Sequence, residues 1–207
     1  KPGDGLRDAL RLSRGMSYKN AMAGLPIGGG KAVILADESR TKSPEMLAAF
    51  GRAVDGLGGQ YITAEDVGIT EADMVAVHKE TAHVSGLPAE DGDAGGDPGP
   101  FTALGIFLGI RAAVKHRLGK DSVAGVRVAV QGTGSVGGGV ARLLAKEGAQ
   151  LILADANADR VRSLAKETGG EVVDPAAILT TPCDVLSPNA LGAVMDEKSI
   201  AALDCQI

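Results

Sequence analysis

At 207 residues, with 44% hydrophobic and 23% charged side chains, the chain can bury one large core or two small ones. A net charge of −5 and 2% aromatic content leave neither the basic footprint nor the stacking platforms of a nucleic-acid binder. No apolar run approaches the roughly eighteen residues of a membrane-spanning helix, and Cys183 and Cys205 are too few for a disulfide framework, so the cytoplasm is the expected compartment. His78, His83 and His116 stand at no metal-ligand spacing, and no metal is expected.

In chain order, Gly5 to Met22 reads as a helix with Asp4 as N-cap. Leu6, Ala9, Leu10, Ser13 and Met16 follow the rhythm of an inward face, which Lys19 continues. The run from Lys19 to Lys31 sets two cations twelve positions apart, with Pro26 and three consecutive glycines before the second. Such a backbone can take left-handed conformations and come close to a small ligand, and two ammonium groups suit a carboxylate. A surface turn flanked by solvated lysines is the competing reading. Ala32 to Leu35 is a short strand candidate. Ser43 caps the next helix, with Pro44 at its first position and Met46, Phe50, Val54 and Leu57 as its stripe, and Gly58–Gly59 stop it. Tyr61 to Thr63 reads as a strand, and Thr70 with Asp73 as a capping box opening a further helix. Asp66 falls between them, where catalytic side chains gather in α/β proteins, although a plain turn role is open to it as well.

Ser85 to Pro100 holds five glycines, three prolines and four acidic residues, the composition of a hinge or linker, or of a surface insertion. It divides the chain into residues 1–100 and 101–207. Thr102 begins a long helix that Gly119 closes. Val126 to Val130 is a near-continuous apolar strand, followed by Gly132-Thr133-Gly134-Ser135-Val136-Gly137, a helix, the strand Leu151 to Leu153, and Asp155, 23 positions after Gly132. This is the dinucleotide fingerprint. Gly132 serves the tight turn, Gly134 the approach to a pyrophosphate, and Gly137 the helix–strand packing. Asp155 would accept from the ribose hydroxyls and repel a 2′-phosphate, which favours NAD over NADP. Gly138 and Gly139 extend the glycine run beyond what the fingerprint needs. Helices over Asp159–Lys166, Pro175–Leu179 and Glu197–Leu203 alternate with strands at Glu171–Val173 and Asp184–Leu186. A last strand opens at Asp204–Ile207.

Met16 to Lys31, Thr63 to Gly68, Asp97 to Gly105 and Gln131 to Gly137 together resemble the Glu/Leu/Phe/Val dehydrogenase family, nearest its branched-chain and phenylalanine members. A P-loop reading of the same lysine block fails, because Leu25 stands where a glycine is needed and Ala32 where a serine or threonine would bind magnesium. The resemblance implies an α/β fold, with an N-terminal substrate segment and a doubly wound Rossmann-type domain across a cleft. Both would be incomplete, because segments that relatives carry upstream and downstream would lie outside this chain. It implies NAD-dependent reversible oxidative deamination of an apolar L-amino acid to its 2-oxo acid and ammonia, in a homo-oligomer. Lys31 and Asp66 would be catalytic, and Lys19, Met16, Gly29 and Ala64 would bind substrate. Thr102, the residues from Gly132 to Gly137, Asp155 and Asn189 would bind the cofactor. Glutamate or a 2-hydroxy acid as substrate, or an inactive NAD-binding scaffold, are the alternatives.

Overall fold

The structure is a computed structural model that describes residues 2–35, 42–88, 97–190, 192 and 195–207. The glycine- and acid-rich core of the expected hinge, residues 89–96, lies outside the described residues. The chain divides into two units, Lys1–Asp97 and Pro98–Ile207.

In the first unit, helix α1 spans Pro2–Met22, starting ahead of the expected Gly5, so Asp4 lies in its first turn rather than at its cap. The expected inward face is also corrected. Leu6 and Leu10 are 64% and 63% exposed, while the half-buried line runs through Gly5, Ala9, Ser13 and Met16 to the buried Asn20. The physical reason is the neighbour. The backbone at Gly28 and Gly29 and the side chains of Val33 and Leu35 lie against the face of α1 that carries Gly5, Ser13 and Asn20. The strand expected at Ala32–Leu35 is not formed. Leu35 and Val33 instead lie 2.9 and 3.7 Å from the point where a Cβ on Gly5 would stand.

Helix α2 (Pro44–Asp55) begins as the sequence indicates, with the Ser43 hydroxyl accepting from Met46 N–H and Pro44 at the first helical position. Its buried residues are Leu47, Gly51 and Val54, while Leu57 is 46% exposed. Helix α3 (Glu71–His78) carries the expected Thr70–Asp73 capping box. Leu47, Met74 and Val77 form a small core between α2 and α3, with Phe50, Ile69 and Val84 packed against it. The strand expected at Tyr61–Thr63 reduces to one parallel bridge, Thr63 to Val84.

The second unit is an α/β layer. Helix α4 (Gly99–Leu118) starts three residues before Thr102 and ends, as expected, at Gly119 in a left-handed conformation. Strands β1 (Arg127–Gln131), β2 (Gln150–Ala154), β3 (Glu171–Val172) and β4 (Val185–Pro188) are all parallel, in the order β3-β2-β1-β4. That order reverses direction beside β1, the switch point of a doubly wound sheet. Helices α5 (Ser135–Lys146) and α6 (Ala158–Thr168) connect the strands, and a 3-10 turn at Ile178–Thr180 replaces the helix expected at Pro175–Leu179. Val128, Val130, Leu151, Leu153 and Val185 face Phe107, Val114, Val140, Leu144 and Leu164 in the main core. Ala129, Ile152 and Ala154 face Ile178 on the other side. The alternation of Val128, Ala129 and Val130 between the two clusters is the period of a strand buried on both faces. Helix α7 (Glu197–Ala201) follows, and residues 204–207 run along β4. There Leu186 N–H donates to Ile207 O at 2.8 Å and Ile207 N–H to Asp184 O at 3.1 Å, a parallel ladder. Among the described residues, no helix is long and apolar enough to cross a membrane.

Candidate functional site

Two groups of residues stand out, one in each unit. In the first unit, Lys31 Nζ donates to Asp66 Oδ2 across 35 positions of sequence. The segment that delivers Lys31 is held by the inner face of α1. Asn20 donates its side-chain amide to Gly28 O at 2.7 Å, and Gly29 N–H donates to the Ser17 hydroxyl at 2.9 Å. A Cβ on Gly29 would overlap Ser13 O and Ser17 N, and one on Gly30 would stand 2.6 Å from the Tyr61 ring. The two glycines are therefore pressed between a helix backbone and an aromatic ring. None of Gly28, Gly29 and Gly30 has a positive φ, so Gly29 and Gly30 serve close approach rather than the left-handed conformations expected of them, while Gly28 faces open space. Ser17, Asn20 and Tyr61 were not among the expected site residues. The signal was present in Ser13, Ser17 and Asn20, small or polar residues at helical spacing on one face.

Asp66 opens a tight turn. Ile69 N–H donates to Asp66 O at 2.9 Å, Gly68 has φ 82°, and Val67 N–H donates to Asp66 Oδ1 at 2.8 Å. Burial pushes the Asp66 carboxyl up. The Lys31 and Val67 hydrogen bonds and the charges of Lys31 and Lys19 outweigh it, leaving the carboxyl below its ordinary value. Lys19 is thus close enough to act on Asp66 while its own side chain is exposed. Met16 is half-buried and Ala64 exposed. A hollow of about 290 Å³ beside Lys31 is lined mostly by apolar groups, among them Phe50, Ala53, Val54 and Tyr61. Neither Met16 nor Ala64 lines it.

In the second unit, the loop after β1 packs on the loop after β4. Gly132 has φ 84°, and a Cβ there would stand 2.7 Å from Ala190 N. A Cβ on Gly137 would overlap Gly132 O and lie 3.0 Å from Asn189 Cβ. Gly134 caps α5 without a side-chain hydrogen bond, and only Arg160 Nη1 comes within 4 Å of where its Cβ would be. Thr133 is buried, and its N–H and hydroxyl donate to Asp155 Oδ2 at 2.6 and 2.9 Å. Burial pushes the Asp155 carboxyl up, but the amides of Asn157 and Thr133, the Thr133 hydroxyl and the Arg160 charge bring it below its ordinary value. Val136 is half-buried, Ser135 exposed, and Thr102 lies in the first turn of α4 with its N–H on Pro98 O at 2.9 Å. Gln131, immediately before Gly132, has a buried Oε1 without a hydrogen bond.

The extra glycines now have a physical account. A Cβ on Gly139 would stand 2.7 Å from Ala103 Cβ of α4, and one on Gly138 3.2 Å from Thr133 O. Gly139 serves the close crossing of α4 and α5. The groups at this turn fit a dinucleotide. An open glycine, a helix start without side-chain capping and an orphaned amide oxygen converge at the switch point of the sheet. Among the described residues no cluster of three or more His, Cys, Asp or Glu side chains could hold a metal.

Residues 2–83 match the family model described as Glu/Leu/Phe/Val dehydrogenase, dimerisation domain. Leucine dehydrogenase of Geobacillus stearothermophilus is 47% identical over 204 residues, which cover 99% of this chain and 55% of that protein. Valine dehydrogenase of Streptomyces virginiae is 43% identical, covering 99% of this chain and 58% of that protein. The crystal structure of L-tryptophan dehydrogenase from Nostoc punctiforme has a TM-score of 0.72 at 40% identity, over 99% of this chain and 57% of that one. The chain thus spans a little over half the length of these relatives. Residues 2–83 are thus similar to the dimerisation domain of the Glu/Leu/Phe/Val dehydrogenases, and almost the whole chain is similar to leucine, valine and tryptophan dehydrogenases.

Proposed function

We propose that the protein of which this chain is part, or all, carries out reversible oxidative deamination of an apolar L-amino acid. Amino acid, NAD and water give the 2-oxo acid, ammonia and NADH. The observation that carries this reading is the Lys31–Asp66 ion pair with Lys19 acting on the same carboxylate. It puts a proton acceptor and two cations within one electrostatic neighbourhood.

In this mechanism Lys19 binds the α-carboxylate of the substrate. Asp66, held as a carboxylate at neutral pH, takes the proton of the substrate ammonium and so frees its lone pair. A nicotinamide cofactor, when bound, would supply the acceptor for the hydride that leaves Cα. Lys31 then activates water against the resulting imine, and its ammonium form stabilises the carbinolamine that expels ammonia. The glycine turn at Gly132–Gly137 and the first amides of α5 would hold the pyrophosphate, Thr102 and Asn189 the nicotinamide side, and Asp155 the adenosine side. The acid at the end of β2 favours NAD over its 2′-phosphorylated form.

The apolar substrate class is supported by the apolar lining of the hollow beside Lys31, and by relatives named for leucine, valine and tryptophan. The outward leucines of α1, within residues matched to a dimerisation domain, support a homo-oligomer. The free Cys183 and Cys205 support a cytoplasmic setting. The test is NADH formation with a panel of L-amino acids and 2-hydroxy acids. Leucine, valine, isoleucine or phenylalanine should be turned over fastest. Faster turnover of glutamate or a hydroxy acid overturns the substrate class, and NADH binding without turnover of any substrate overturns the enzyme.

A further inference from the structure

Asp155 closes β2 where the adenosine ribose of a dinucleotide is held. Yet only 9% of its side chain is exposed. Its Oδ2 accepts from the N–H and hydroxyl of Thr133 at 2.6 and 2.9 Å, and its Oδ1 from Asn157 N–H at 2.7 Å. A carboxylate offers about four acceptor positions, so roughly one is left for two ribose hydroxyls. The acid is committed chiefly to shaping the glycine turn.

The exposed group at this corner is a cation. Arg160 has 51% of its side chain exposed and places Nη1 3.6 Å from Asp155 Oδ2. The same Nη1 lies 3.8 Å from the Cβ position of Gly134, beside the glycine turn itself. Its anchoring is firm at both ends of α6. Arg160 N–H donates to the capping Asn157 Oδ1 at 3.0 Å, and Glu167 ties the far end to Arg142 of α5 by two hydrogen bonds of 2.7 and 2.9 Å. The neighbouring acid Asp159 is engaged by Arg162 at 2.7 Å. The Asp155–Arg160 pair is therefore neutral in sum, and its accessible member carries the positive charge.

We propose that Arg160 is a specificity-determining residue that lets this site accept a 2′-phosphorylated dinucleotide beside the unphosphorylated one. An isolated carboxylate repels a 2′-phosphate. A guanidinium within ion-pair reach of that carboxylate cancels the repulsion and offers the phosphate charge-assisted hydrogen bonds. This inference rests on the dinucleotide reading above and qualifies its preference for NAD.

The experiment titrates the protein with NADH and NADPH, following nicotinamide fluorescence, and repeats the competition with 5′-AMP and adenosine 2′,5′-bisphosphate as probes. NADPH should bind within about tenfold of NADH, with the steeper salt dependence expected of an added phosphate interaction. Arg160→Ala should weaken NADPH and the bisphosphate by about tenfold or more, the scale of one charge-assisted hydrogen bond, and NADH by far less. Arg160→Lys should recover part of that affinity. Wild-type NADPH binding about a hundredfold or more weaker than NADH overturns the inference while leaving the dinucleotide reading intact. Equal weakening of both cofactors by Arg160→Ala does the same. Absence of NADH binding to the folded wild type overturns both.

Discussion

Lys31 and Asp66 meet through two different devices: Gly29 pressed onto α1 and Gly30 against the Tyr61 ring deliver the amine, and a turn with a left-handed Gly68 delivers the carboxylate. Neither side chain rides on a regular helix or strand. Replacing either should therefore act on the chemistry more than on the fold. In a form of the protein that turns over substrate, Lys31→Ala and Asp66→Asn should each lower turnover by about 10²–10⁴, the usual contribution of a placed acid or base. NADH affinity, measured by calorimetry, should change little, because the fingerprint residues lie in the other unit.

The three consecutive glycines are not equivalent. Nothing lies within 4 Å of a Cβ on Gly28, whereas one on Gly29 would overlap backbone atoms of α1. Gly28→Ala should leave thermal stability within about 0.5 kcal/mol of the wild type, as expected for an open position. Gly29→Ala should destabilise by about 1–3 kcal/mol, since the backbone itself must move. Denaturant melts of the two variants side by side would settle whether close approach is the reason for the glycine.

The crossing of α4 on α5 gives a paired test. Gly139→Ala should destabilise by about 1–3 kcal/mol through overpacking against Ala103. Ala103→Gly in the same chain should return part of that stability. A double-mutant cycle with no coupling between the two sites would contradict direct packing of one on the other.

Acid stability should depend on Asp155. Its native carboxyl lies below the ordinary 3.8, so the unfolded chain binds the proton more readily. The stabilisation is complete above the ordinary value and is lost as pH falls through the lower native one. Between about pH 5 and pH 2, the melting temperature of the wild type should fall more steeply than that of Asp155→Asn. Parallel profiles would show that the Thr133 and Asn157 bonds contribute no such linkage.

The elements that sequence reasoning placed well share a physical trait: their determinants are local. Ser43 with Pro44, Thr70 with Asp73, and the strand-to-Gly132 turn each specify their geometry within a few residues. The misplaced ones depend on distant neighbours. Which face of α1 turns inward is decided by a backbone segment arriving from residues 28–35, not by the spacing of Leu6 and Leu10. The Ala32–Leu35 and Tyr61–Thr63 candidates have strand composition, but a strand also needs a hydrogen-bonding partner, and only Thr63 finds one. Gly138 and Gly139 were opaque because their reason lies in Thr133 and in Ala103 on another helix.

The bonds from Asp155 to Thr133 and Asn157 have a kinetic meaning as well. They fix the glycine turn as part of the native fold, so a dinucleotide of the kind proposed would meet a cradle already in shape. The ordering entropy that a floppy phosphate loop would lose at the moment of capture is settled when the chain folds. Association would then be governed by encounter and charge rather than by a slow rearrangement, and the turn would return to the same shape each time the ligand leaves.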